Sequence, residues 1–175
     1  AWAVILAPVG LVFFLSFRIQ SMSFSAAQTT FWIYAALNGL SLSLVFLAYA
    51  TGDIARVFFI TAGTFSAMSL WGYTTARDLT AFGSFLFMGL IGLVIAMVVN
   101  IFLASDMMNF IISAVGVLIF TGLTAYDTQK IKEMYLESDG NEIAGKKAIM
   151  GALALYLDFI NLFLMMLRLF GSSRE

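Results

Sequence analysis

Two carboxylates set in apolar surroundings are the residues of this 175-residue chain best placed to do chemistry. Asp127 closes the uncharged run 107–126, and Asp158 is the eleventh residue of the apolar run 148–170. At 1.5 Å of rise per residue, Asp158 would lie roughly 15 Å deep in a bilayer, near its middle. An ionised carboxylate there costs at least a few kcal/mol, so it must face a partner, a cavity or a proton rather than lipid. Two carboxyls brought close together share a proton and can act as a pH switch without any histidine. Ionised, they offer hard oxygen ligands suited to Ca²⁺.

Two helices must hold those carboxyls. Along the last run, Gly151, Ala154, Asp158, Asn161, Met165 and Arg168 follow at intervals of three and four and form one small, polar stripe. Asn109, Ser113, Gly116, Phe120, Thr124 and Asp127 do the same along the run before it. Small residues let backbones approach where lipid gives no hydrophobic drive, so the stripes are expected to pack together and join the two aspartates. A purely structural account would instead pair Asp158 with Asn161 or Arg168, and Asp127 with Lys130 one turn on. The methionine pairs at 107–108 and 165–166 are expected to be packing residues rather than ligands.

Composition limits what else is possible. A hydrophobic share of 62%, a charged share of 11% and a mean hydropathy of +0.98 fit an all-α, polytopic membrane protein of one domain. A net charge of −1 argues against general affinity for nucleic acid. With no Cys and no His, disulfide frameworks, zinc sites, thiol nucleophiles and Ser-His-Asp triads are excluded. No bound cofactor is expected, and no enzyme activity. Two aspartates on adjacent helices also suit an intramembrane aspartyl protease, but the Gly-x-Gly-Asp element of those enzymes is replaced by Leu155-Tyr156-Leu157-Asp158.

Six apolar spans are expected, at about 1–17, 31–50, 57–76, 79–105, 107–126 and 148–170, with the fifth helix continuing to about 137 as a solvated, amphipathic extension bearing Lys130, Lys132, Glu133 and Glu137. Pro8 would kink the first span, residues 19–30 read as a loop or helix end, Asn38 and Gly39 as packing positions, and Asp53 as the N-cap of the third helix. The chain opens on Ala with no basic flank, so it is expected to lack its natural N-terminus and a preceding helix. Arg18, Arg77, Lys130, Lys132, Lys146 and Lys147 fall on one side, against Arg56 and Arg174 on the other, with Arg168 at a helix edge. That excess places the 128–147 loop in the cytoplasm and the C-terminus outside. Arg18 serves either as such a topology charge or as a latch that bridges to Asp127.

Thr124-Ala125-Tyr126-Asp127-Thr128-Gln129-Lys130-Ile131 and Ala154-Leu155-Tyr156-Leu157-Asp158-Phe159-Ile160-Asn161-Leu162-Phe163 resemble the bacterial branch of the Bax inhibitor-1 family. Weaker similarity runs from Phe65 to Phe102, including Ser69 to Tyr73 and the Arg77-Asp78-Leu79 turn, and through Asn38-Gly39-Leu40. The resemblance implies seven helices, six of them around a central last one, and a pH-sensitive Ca²⁺ leak in the bacterial inner membrane. It implies that Asp127 and Asp158 form the pH-sensing pair, with Arg18 at the position of a basic residue that bonds one of them in the closed state. Some bacterial members carry an acidic residue where this chain has the apolar surroundings of Ala7 and Pro8, which argues against a further Ca²⁺ site there. Other relatives are linked to modulating a membrane-bound ATP-dependent protease, or to suppressing cell death. The expected partners are thus the lipid bilayer, Ca²⁺ and H⁺, with such a protease as the alternative in a protein that has no transport of its own.

Overall fold

A computed structural model describes residues 14, 17–49, 51–134 and 138–171. All of the expected first span except residues 14 and 17, Pro8 within it, Glu137 and Arg174 lie outside these residues. The described residues hold a 3₁₀ turn, Ile19–Ser21, and five long α-helices, without strands. These are α1 (Phe24–Ala48), α2 (Thr51–Thr74), α3 (Thr80–Leu103), α4 (Asp106–Met134) and α5 (Asn141–Phe170). Among the described residues, α2, α3, α4 and α5 are each long and apolar enough to cross a membrane. The protein is all-helical and polytopic.

Local chemistry sets the helix ends, and several differ from the sequence expectation. α1 starts seven residues before position 31, because the Ser23 hydroxyl accepts from the Ala26 N–H at 3.1 Å and caps it. Asp53 is not an N-cap: it lies inside the first turn of α2 and pairs with Arg56 at 3.2 Å. Asp78 follows the end of α2 and serves α3, its Oδ1 accepting from the N–H and hydroxyl of Thr80 at 3.0 and 2.6 Å. Those bonds hold its carboxyl below its ordinary pKa. Ala104, with φ 48°, ends α3 in the left-handed region, and Asn100 Oδ1 accepts from the Ser105 N–H at 3.0 Å. The sharp turn onto α4 follows.

α4 and α5 share the centre. α5 packs against α4, α2 and α1, while α4 packs against α5, α2 and α3. The main core joins Val57, Leu86, Phe120, Leu123, Leu162 and Met166, and a smaller cluster of Ile19, Ala27, Tyr34, Ile149 and Leu153 lies between α1 and α5. Edge-on aromatic pairs bind α2 to α5, with the Phe65 and Phe159 ring centroids 5.3 Å apart. Met165 packs on Gly116, and Met166 Sδ accepts from the Thr61 hydroxyl at 3.4 Å. Both methionines are packing residues.

The bonds between helix ends also sort the basic residues. Gln129 reaches the Arg77 carbonyl, Lys132 the Tyr73 carbonyl and Lys147 the Met134 carbonyl, all at one end of the bundle. Arg56 donates to the Phe170 carbonyl at 2.8 Å, at the other end.

Candidate functional site

The 124–131 and 154–163 segments meet along the α4–α5 seam. Glycines permit the close approach: a Cβ at Gly151 would press on Ile131, and one at Gly72 would collide with the Ala125 backbone of α4. Gly83 likewise leaves room for the Tyr126 ring. The peptide before Asp127 is thus gripped from α2 and α3 while Asp127 itself faces α5.

The Asp158 carboxyl is turned to that of Asp127, close enough for the two side chains to hydrogen-bond through a shared proton. Asp158 is only 5% exposed, and its Oδ2 has no hydrogen-bond partner among the described residues. Asn161 and Arg168, the other partners considered, form no hydrogen bond or ion pair with it among the described residues, and Arg168 is exposed. The centre of the two stripes therefore meets as expected, with Ser113, Gly116, Phe120 and Thr124 buried. Its outer ends, Asn109 and Arg168, do not.

Asp127 also borders a cavity of about 740 Å³ at the end of the bundle that carries most of the lysines. Lys130, Lys146 and Lys147 stand in its wall, and Ala154, one turn from Asp158, lines its α5 side. Asp127 thus lies between an open cavity and a closed, buried acid. Lys130 shares this cavity with Asp127 without an ion pair to it among the described residues.

Arg18 is not at this pair. Its Nε donates to Ser21 Oγ at 3.4 Å within an exposed turn, and its neighbour Ile19 is the residue that reaches the cavity wall.

Threonine hydroxyls near the pair are spent locally. Thr124 donates to the Phe120 carbonyl at 2.8 Å and Thr128 to the Thr124 carbonyl at 2.7 Å, so neither presents a free proton to the seam. Among the described residues no group of three acidic residues could hold a metal. Two carboxylates fall short of the roughly six to eight oxygens of a resident Ca²⁺ site. What the arrangement can do is hold, share and pass a proton, and present transient charge to a cation.

The sequence does not single out Gln129. It is buried, its Oε1 accepts from the Leu79 N–H at 2.9 Å, and its Nε2 donates to the Arg77 carbonyl at 2.7 Å. Lys132 adds a bond to the Tyr73 carbonyl at 2.7 Å and lies 5.0 Å from that tyrosine's ring centroid. The extension of α4 is therefore not simply solvated: one face clamps the α2–α3 turn and fixes the segment that carries Asp127. The only sequence signal was an uncharged amide two residues from the aspartate in an otherwise charged turn.

The chain is similar to known membrane proteins over nearly all of its length. A model of the family described as inhibitor of apoptosis-promoting Bax1 matches residues 1–175. Inner membrane protein YbhL of Escherichia coli is 51% identical over 172 residues, spanning 97% of this chain and 74% of YbhL. An uncharacterized protein of Rickettsia prowazekii is 49% identical over 172 residues, spanning 98% and 73% of the two chains. Another, of Borreliella burgdorferi, is 50% identical over 174 residues, spanning 99% and 75%. Several apolar helices and the likeness to YbhL identify a multi-pass inner-membrane protein. With the family model matched from the first residue to the last, this chain belongs to the Bax inhibitor-1 family.

Proposed function

We propose that the protein is a pH-sensitive Ca²⁺ leak of the inner membrane, switched by protonation of the Asp127 and Asp158 pair. The observation that carries this reading is the position of Asp127, one face on the cavity and the other on a buried acid with an unsatisfied oxygen. A charge at that depth is costly unless it serves an ion or proton path. With a shared proton the carboxyls bond to one another and hold the α4–α5 seam shut. Without it they repel, the seam loosens, and two anionic oxygens face an entering cation. The leak therefore rises with pH. Arg18 is left out of this switch, since it bonds to Ser21.

In this reading Ca²⁺ is cargo, the cavity opens to the cytoplasm on the basic end of the bundle, and the C-terminus lies outside. A seven-helix whole, with one helix preceding this chain, is the family's arrangement and belongs to the same proposal. The alternative, modulation of a membrane-bound ATP-dependent protease without transport, leaves the aspartates as packing groups.

The test is Ca²⁺ entry into proteoliposomes of the full-length protein, scanned from about pH 6 to 8. Wild type should leak more at the higher pH. Asp127→Asn and Asp158→Asn should each flatten that dependence while the protein stays folded. Flux no greater than in empty liposomes, from folded protein, would refute the leak and favour the partner-modulating role.

A further inference from the structure

The α4–α5 seam turns apolar just beyond the two carboxyls. Leu162 and Met165 follow Asp158 along the same face of α5, about one and two turns on, and both are buried. On α4, Phe120 and Gly116 continue the stripe that holds Asp127, and both are buried too. These residues form an apolar gap in an otherwise polar stripe, with Asp127 and Thr124 on one side of it and Ser113 and Asn109 on the other. One position in the gap has no side chain. A Cβ at Gly116 would stand 3.0 Å from Met165 Cγ and Sδ and 3.5 Å from Leu93 Cδ2, so Met165 fills the place that Gly116 leaves.

We propose that Met165, seated on Gly116, is the gate of the leak, an inference that rests on the leak reading above. A hydrophobic constriction closes by dewetting, because a hydrated cation cannot enter a space too apolar to hold water. Any cation that passed the carboxyls along this seam would meet such a space at Gly116. Met165 suits the role of its movable part. Its unbranched thioether chain has more torsions than the Phe120 ring or the branched Leu93 and Leu162, so it can leave its seat without moving either backbone. Met166, the next residue, accepts from the Thr61 hydroxyl of α2 at 3.4 Å and so lies off the seam. When the seam loosens, Met165 swings away from Gly116 and water bridges the gap.

The experiment measures Ca²⁺ entry into proteoliposomes of the full-length protein at the low-pH end of the scan above, where the wild type is tight. Met165→Gln keeps the length of the side chain and replaces its thioether with an amide that holds water; it should raise entry roughly tenfold. Met165→Leu leaves the gap dry and should stay within about twofold of wild type. Met166→Gln makes the same polar exchange one residue on, toward Thr61, and should also stay within about twofold. Circular dichroism and a single gel-filtration peak establish that each variant is folded. Should Met165→Gln not fold, Met165→Ala, which empties the seat without adding a polar group, carries the same expected rise. Equal rises for Met165→Gln and either Met165→Leu or Met166→Gln would overturn the gate in favour of a general loosening of the bundle. A folded Met165→Gln as tight as a wild type that still leaks at higher pH would overturn it as well. If instead the wild type passes no Ca²⁺ at any pH and Met165→Gln is equally tight, the leak reading itself fails and the gate falls with it.

Discussion

α3 and α4 are consecutive helices joined by a two-residue turn, yet they occupy opposite situations. α3 is the more apolar, and 11% of its spanning window is buried; α4 is more polar, and 44% of its window is buried. In water this order would be reversed. In a bilayer the surroundings are as apolar as the core, so hydrophobicity does not select the inner helix. Close approach does: α4 presents Gly116 to Met165 and Gly122 to Leu86, and it answers its own buried hydroxyls from its own carbonyls. The glycines divide by face rather than by helix. Gly72 and Gly122 have neighbours where a Cβ would go, whereas Gly39, Gly63 and Gly92 face open space.

The strongest way to break this division is a pair of alanine substitutions on one helix. Gly72→Ala drives a methyl into the Ala125 backbone, which cannot swing aside, and should cost about 3 kcal/mol. Gly63→Ala meets nothing within 4 Å and should be neutral or gain up to about 1 kcal/mol from helix propensity. Thermal unfolding in detergent distinguishes them, and equal costs would erase the distinction between the faces. Gln129→Leu sharpens it at the end of α4. It leaves the Leu79 N–H and Arg77 carbonyl unpaired and should cost about 2 kcal/mol, with proteolysis between 74 and 80 rising first. The smallest effect is expected at Asp78, which is fully exposed. Its carboxyl titrates lower folded than unfolded, so its stabilisation is present above the unfolded pKa of about 4 and is lost as pH falls through the lowered value. The gap in melting temperature between wild type and Asp78→Ala should accordingly close on acidification. A gap that widened instead would mean that Asp78 does not cap α3 as a carboxylate.

The inner helices were legible because their polar residues repeat at helical spacing. That pattern led to Asp127 and Asp158, to the α4–α5 seam and, with the quoted motifs, to the family. It did not reveal which residues fix the helix ends. α1 begins at Phe24 because Ser23 caps it and Glu142 Oε1 accepts from the Phe24 N–H at 2.5 Å, and no local window contains both residues. α5 extends back to Asn141 through charged sequence that resembles a loop until Lys147 is seen bonding to the preceding helix end. Asn38 proved a packing position, its Nδ2 donating to the Tyr156 hydroxyl at 3.3 Å, while its neighbour Gly39 packs on nothing. Spacing gives the direction of a side chain, but what waits there is set by another helix.

The bonds from Glu142 to α1 and from Tyr156 to Asn38 each span 118 positions of sequence. Their meaning is temporal. During synthesis α1 leaves the ribosome long before either partner exists, and at about 5–20 residues per second the wait is on the order of ten seconds. Through that interval α1 must be sheltered by lipid or by the insertion machinery with its first N–H groups only partly satisfied. Emergence of the last helix then fixes α1 at its start and near its middle, so a ribosome stalled before position 142 would leave a nascent chain whose early helices are inserted but not yet assembled.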